Sequence, residues 1–237
     1  MRIRGERECQ ACGEHWTYYE TGSITCPACG SPVSVGVGER VEHTDDPVEF
    51  DLSPVRDAVD AAPREEVAEQ AAAVAREFCR RTGFVHAGDL QPLSDTYLAA
   101  AELREVGATG ARGLRLDDAA ELYYLALLRG ADAGERPAVT DVPEAMRAER
   151  GRAVARAVDA YQADLRRVLD EPAAPVGRVL SSMTTHRKRV EALDGDVPPR
   201  EAERLVDAVR DLRRYLVEDD EGALARAESR LVDREGD

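Results

Sequence analysis

Lysine is almost missing from this chain: of 32 basic residues, Lys188 is the one lysine and the other 31 are arginine. Aromatic residues are scarce at 5%, so a large core has to be assembled from leucine, valine and alanine. No apolar run approaches the roughly 20 residues that a membrane-spanning helix needs. The opening MRIRGERECQ also lacks the apolar stretch of a secretory leader, which points to a soluble protein of the cytoplasm. Catalytic patterns are missing too. The four histidines (His15, His43, His86 and His186) stand apart, with no paired nucleophile and base, no phosphate loop and no HExxH. A non-enzyme is expected, with no small-molecule substrate in evidence.

What is abundant is negative charge. Aspartate and glutamate number 47, for a net charge of −15. Such a surface keeps a chain soluble and self-repelling. The acid-rich, lysine-poor balance also resembles that of proteins from extremely halophilic archaea, and adaptation to high salt is the preferred reading. A GC-rich genome is the other source of an arginine and alanine bias. At about 1 M salt the Debye length is only about 3 Å, and nucleic-acid binding driven by counterion release weakens steeply. A protein partner is therefore expected ahead of nucleic acid.

Residues 9–30 read CQACGEHWTYYETGSITCPACG, two Cys-x-x-Cys pairs separated by thirteen residues. Each pair wraps one side of a tetrahedral ion. Gly13 and Gly30 permit the tight turn that aims backbone N–H groups at the sulfurs. Four thiolates with no open position suit one structural zinc ion, with Cys9, Cys12, Cys26 and Cys29 as ligands and no catalytic role. Disulfides do not fit the spacing or the missing leader. A thioredoxin-type motif needs an α/β pattern that this chain lacks. Iron is the alternative, because the C-x-x-C-G and C-P-x-C-G pair also resembles rubredoxins, whose two pairs are much farther apart. Cys79 follows Phe78 near a helix end and reads as an inert buried thiol.

The cysteine pattern also divides the chain. Residues 1–44 carry β-prone runs at 2–7, 15–20 and 33–37, with four basic and six acidic residues. A unit this small cannot fold on its own core and needs a staple. Metal binding supplies one, worth roughly 10–16 kcal/mol of apparent folding free energy. An acidic, proline-containing linker follows at 45–54, and 55–237 reads as an all-α multi-helix bundle. Ser53 is expected to cap a first helix with Pro54 in its first turn, and Val67, Ala71, Val74 and Phe78 give the stripe before Gly83. Ser94 caps a helix expected to end at Gly107, and Asp117 one that ends at Gly130. The uncharged run LYYLALL makes 117–129 the expected central helix, buried on every side. Asp141 and Glu144 form a capping box for a segment running to Asp170. Further helices are expected at about 175–194, about 199–218 and around 224–231.

CxxCG…CPxCG in a short N-terminal β module, followed by an acidic helical body, resembles the transcription factor IIB-type zinc-ribbon proteins of halophilic archaea. The resemblance covers residues 7–38 in its motif and includes FVHAGDLQPLSDTYLAA in the helical part. It implies a rubredoxin-like zinc-ribbon knuckle followed by an all-α bundle, and a zinc site at the four cysteines. It does not imply an initiation factor, because the paired cyclin-like core of that factor is not evident.

Two stretches are candidate contacts. Alternation along HWTYY puts His15, Thr17 and Tyr19 on one strand face and Trp16 and Tyr18 on the other. Either both faces pack internally, or Trp16 and Tyr18 meet a partner. From 172 to 190 there are four basic residues, Arg178, Arg187, Lys188 and Arg189, and no acidic one. They form either a contact for phosphate or an acidic partner, or a solvated face paired with neighbouring carboxylates. The reading that results is a zinc-binding, non-catalytic adaptor for a protein partner. The alternatives are a transcription-associated nucleic-acid-binding factor and an iron redox protein.

Overall fold

The computed structural model describes residues 1–112, 117–169 and 171–232. Its N-terminal part is a small antiparallel β module. Strand β1 (Arg2–Ile3) leads to β2 (Glu6–Cys9), β3 (His15–Thr17), the one-turn helix α1 (Tyr18–Thr21), β4 (Ser34–Val37) and β5 (Val41–Glu42). β2 lies between β3 and β4, and β1 pairs with β5, all antiparallel. Successive side chains of a strand leave opposite faces, so β2 sends Glu6 and Glu8 one way and Arg7 and Cys9 the other. Cross-strand partners share a face, which sets Trp16 and Gly36 beside Arg7, and Ser34 beside Cys9.

The strand expected at 15–20 stops at Thr17. The Thr17 hydroxyl accepts from Tyr19 N–H at 3.3 Å and starts α1, which Gly22 ends at φ +60°. Tyr19 turns inward as a result. Its hydroxyl accepts from Gly5 N–H at 3.1 Å, and its ring fills the space that a Cβ at Gly5 would need.

The stretch expected to be a linker, 45–54, is pinned to the helical part. Asp45 accepts from Gly83 N–H at 3.1 Å, and Asp46 N–H donates to Arg81 O at 3.1 Å. Phe50 stacks on Phe78 with ring centroids 4.7 Å apart, and Leu52 is fully buried.

Helix α2 (Ser53–Asp57) is short, and Ser53 is its first residue rather than its cap. It does not run into α3 (Arg64–Arg81), because Pro63 has no N–H and disfavours helical backbone at Ala62. A hairpin of β6 (Val85–His86) and β7 (Asp89–Leu90) separates α3 from α4 (Asp95–Ala111). Ser94 caps α4 as expected, accepting from Tyr97 N–H at 3.1 Å. Gly107 does not end this helix. A Cβ there would stand 2.9 Å from Ala68 O and 3.2 Å from Ala72 Cβ, so Gly107 is where α3 and α4 close on one another.

Helix α5 (Asp118–Gly130) is capped by Asp117, whose Oδ1 accepts from Ala120 N–H at 2.8 Å. It is not the central helix. Tyr123, Tyr124, Leu127 and Leu128 are buried, but Leu122 is 68% exposed. The lack of charge in this run marks a helix buried on one side only. Two 3₁₀ turns, Val139–Asp141 and Glu144–Met146, stand where the capping box was expected. The central helix is α6 (Arg147–Val168), which packs against α4, α7 (Ala174–Ala192) and α8 (Pro199–Val217), while α9 (Glu221–Arg230) covers α8 and α7. On α6, Val154, Val158, Tyr161 and Leu165 form a buried stripe. Asp170, the expected end of that segment, lies outside the described residues. One continuous core joins these faces to Leu98, Leu103 and Val106 of α4 and Leu205, Val209 and Leu212 of α8.

Replacing Gly107 with valine should push α3 and α4 apart and lower stability by about 1–3 kcal/mol. The readout is a lower urea midpoint with native helix content retained.

Candidate metal centre

The two knuckles are built alike. In the first, Cys9 N–H donates to Glu14 O at 2.8 Å and Gly13 N–H to Cys9 O at 3.0 Å. In the second, Cys26 N–H donates to Ser31 O and Gly30 N–H to Cys26 O, both at 2.9 Å. Gly13 (φ +76°) and Gly30 (φ +72°) supply the left-handed backbone that each turn requires. The turns bring Cys9 Sγ to 3.7 Å from Cys29 Sγ and Cys12 Sγ to 3.7 Å from Cys26 Sγ, with all four sulfurs within 4.8 Å of one another. Around an ion bonded at about 2.3 Å, tetrahedral sulfurs lie about 3.8 Å apart, so the set fits a single metal ion. Disulfide sulfurs would lie about 2.0 Å apart.

Electrostatics point the same way. The Cys9 thiol is pulled down to about 6, chiefly by the Cys12 N–H. Cys12 is pushed up to about 12: the Glu14 N–H lowers it, but Cys29, desolvation, Cys9 and Cys26 together outweigh that donor. Cys29 is raised as well, with the Ser31 N–H and Cys12 overcome by Cys9, desolvation and Cys26. Thiols this close do not all ionise by themselves. A cation among them lets all four become thiolates.

Cys9 and Cys26 are buried with Trp16 in the module's own small core, while Cys12 and Cys29 face solvent. Trp16 is therefore not an outward contact: it is 8% exposed, and its Nε1 donates to Ser23 O at 3.0 Å. Tyr18 is half-buried with its ring 6.3 Å from that of His43, so it faces the chain's own junction. Cys79 is buried in α3, and desolvation pushes its thiol up to about 11, which leaves it unreactive at neutral pH.

The basic stretch on α7 meets acids of the same chain. Arg187 reaches Asp159 at 3.2 Å and also pairs with Glu191, Arg178 reaches Glu228 at 3.8 Å, and Arg189 reaches Glu201 at 3.4 Å. Lys188 is exposed. Helices α6, α8 and α9 each bring a carboxylate to this face, a convergence that no local pattern records.

At the junction, His43 is buried beside Tyr19 and His86, with ring centroids 4.8 and 5.2 Å away. Its Nδ1 accepts from Ala87 N–H at 3.2 Å, which places the proton of the neutral ring on Nε2. Burial, and after it the neighbouring His86, hold this imidazole below the usual histidine range, against the opposing pull of Asp45 and Asp46. His86 faces Asp89 across the hairpin and Asp45 at 3.6 Å.

A second polar centre was not legible in the sequence. The fully buried Glu102 of α4 takes Arg150 Nη1 at 3.0 Å on Oε2, Arg136 Nη1 at 3.3 Å on the same oxygen, and the Tyr123 hydroxyl on Oε1. Glu203 of α8 closes the network, accepting from Arg150 Nε and Arg136 Nη2, each at 2.9 Å. Beside it, Leu122, Ala126, Arg129 and Pro143 border a surface cleft of about 460 Å³. The network's members come from separate elements and share no spacing that a scan along the chain would detect.

Fold and site define a class of protein: a four-thiol metal knuckle on a small β sheet, docked to a helical bundle. The chain belongs to the family of unknown function DUF7117, whose match runs over residues 1–231 and so takes in both parts. No curated protein and no solved structure matches it.

Cys9→Ser should lower bound metal from about one ion per chain to near zero, whereas Cys79→Ser should leave it unchanged; elemental analysis of the purified proteins decides. His43 gives a pH prediction. The unfolded chain binds this proton at a higher pH than the folded protein, so the stability from the neutral ring is complete above about pH 6.5 and is lost as the pH falls below it. Between about pH 7.5 and about pH 5.5 the wild type should lose more Tm than His43→Phe, which keeps an aromatic ring but takes up no proton.

Proposed function

We propose that this protein is a non-catalytic interaction module, an adaptor whose N-terminal ribbon is stapled by one structural zinc ion. The observation that carries the reading is the closed donor set. Cys9, Cys12, Cys26 and Cys29 lie within 4.8 Å of one another, and four thiolates complete the tetrahedral shell of a zinc ion with no open position for water or substrate. Zinc suits four thiolates in a site whose task is to hold shape, and the metal replaces the core that so small a module lacks. The spacing of the knuckles supports a ribbon of the transcription factor IIB type, and the acid-rich composition supports a cytoplasmic protein adapted to high salt.

A protein partner is the favoured target. The net charge of −15 opposes nonspecific attraction to nucleic acid, and the arginines of α7 are engaged by carboxylates of the same chain. Crosslinking in lysate at native salt, comparing wild type with Cys26→Ser, tests the adaptor. The expected outcome is a defined partner set that the variant loses while its bundle stays folded; an unchanged set rejects the ribbon as the contact. Elemental analysis tests the metal. A colourless preparation with one zinc per chain is expected, and a coloured one holding iron would replace this reading with a redox protein.

A further inference from the structure

Residues 1–44 contain four basic side chains, Arg2, Arg4, Arg7 and Arg40, and all four line one cleft of about 390 Å³, with Ile3 and Gly36 completing it. Strand geometry brings them together. Arg7 leaves β2 on the face opposite to Glu6 and Glu8. Gly36, its cross-strand partner in β4, brings no side chain over it. A Cβ at Gly36 would lie 3.0 Å from both Arg4 Cβ and Arg4 O, so this glycine lets the segment carrying Arg4 close against β4. Arg7 is fixed in place, its Nε donating to Ser34 Oγ at 3.0 Å and its Nη2 to Ser34 O at 3.1 Å. Arg2, Arg4 and Arg40 stand exposed around it.

These arginines differ from most of those of the bundle. Arg150, Arg152 and Arg156 of α6 each meet a carboxylate. Among the described residues, none of the four in the cleft does. Glu42, which faces Arg2 across the β1 and β5 pair, is taken up by the N-terminal ammonium and by Arg167. In a chain with 47 acidic residues, four arginines line one cleft, and among the described residues none has a carboxylate of its own.

We propose that this cleft binds a ligand carrying several phosphate groups. A guanidinium offers a planar fork that meets two oxygens of one anion. A single carboxylate occupies one such fork. Three exposed forks, beside the anchored Arg7, match the oxyanions of a di- or triphosphate, or of consecutive phosphodiesters. Among the described residues no aromatic ring lines the cleft, so it reads phosphate rather than base. Close bidentate hydrogen bonds act at contact distance, where molar salt screens them less than it screens long-range attraction. The site is separate from the metal, goes beyond the protein-partner reading and does not depend on it.

The test uses the metal-loaded full chain and three fluorescent probes followed by anisotropy at about 0.2 M and about 2 M KCl. The probes are a nucleoside triphosphate, a short single-stranded oligonucleotide, and a polyglutamate peptide matched in charge to the oligonucleotide. Saturable binding of at least one phosphate probe is expected, weakened about tenfold or more in the double variant Arg2→Gln with Arg40→Gln. Among the described residues those two side chains make no hydrogen bond, so metal content and far-UV spectrum should be unchanged; if they change, Arg4→Gln gives the same reading. Tighter binding of the triphosphate marks a small ligand, and tighter binding of the oligonucleotide a nucleic-acid backbone. The proposal is overturned if neither phosphate probe saturates, if the variants bind like wild type, or if polyglutamate binds as tightly as the phosphate probes.

Discussion

The Asp164 carboxylate, near the end of the central helix α6, accepts from the Thr44 hydroxyl at 2.6 Å and from Phe84 N–H at 2.8 Å, and in doing so fixes where the metal module sits. Thr44 is the last residue of that module, and Phe84 leads into the β6 hairpin. The two segments also bond to each other, Thr44 N–H to Val85 O at 2.9 Å and Val85 N–H to Thr44 Oγ1 at 3.1 Å. Gly83 makes the approach possible, since a Cβ there would fall 2.3 Å from Thr44 O. A buried carboxylate is costly unless its oxygens are satisfied. This one is, and the ribbon, the hairpin and the bundle are consequently one packed unit.

The same rule governs the charges inside the bundle. Asp211 of α8 is buried yet faces Arg214, Arg226 and Arg230, and Glu102 is shared by Arg136 and Arg150. Breaking one partner of such a pair leaves an uncompensated charge in low dielectric, which costs about 3–5 kcal/mol. These networks favour arginine over lysine for a geometric reason. Arg150 serves Glu203 through Nε while Nη1 reaches Glu102 and Pro137 O, a division that a single ammonium cannot make. The near-absence of lysine thus acquires a structural use, whatever its origin.

Much of the metal site was legible because it is local. Cys-x-x-Cys-Gly carries its ligands and its turn within five residues, and Ser94 and Asp117 carry their caps within four. What was misread is what packing decides. The run at 122–128 has no charge, but whether both its sides are covered depends on where α4 and α6 lie, and only one is. Gly107 reads as a stop on propensity, yet the gain from closing α3 onto α4 outweighs the roughly 1 kcal/mol a mid-helix glycine costs. Trp16 and Tyr18 alternate in sequence, and α1 breaks that alternation one residue after Thr17.

A four-thiol knuckle able to hold a metal ion, a helical body and the ends of several helices were readable along the chain, since these follow from interactions between residues a few positions apart. Tertiary structure alone decided which helix is central, how the ribbon docks, which arginines are neutralised and which are left facing a cleft. Those outcomes depend on side chains brought together from distant parts of the chain. Asp164 meets Thr44 across 120 positions and Arg40 joins Arg2 at the rim of one cleft, because the packed chain makes neighbours that no local spacing encodes.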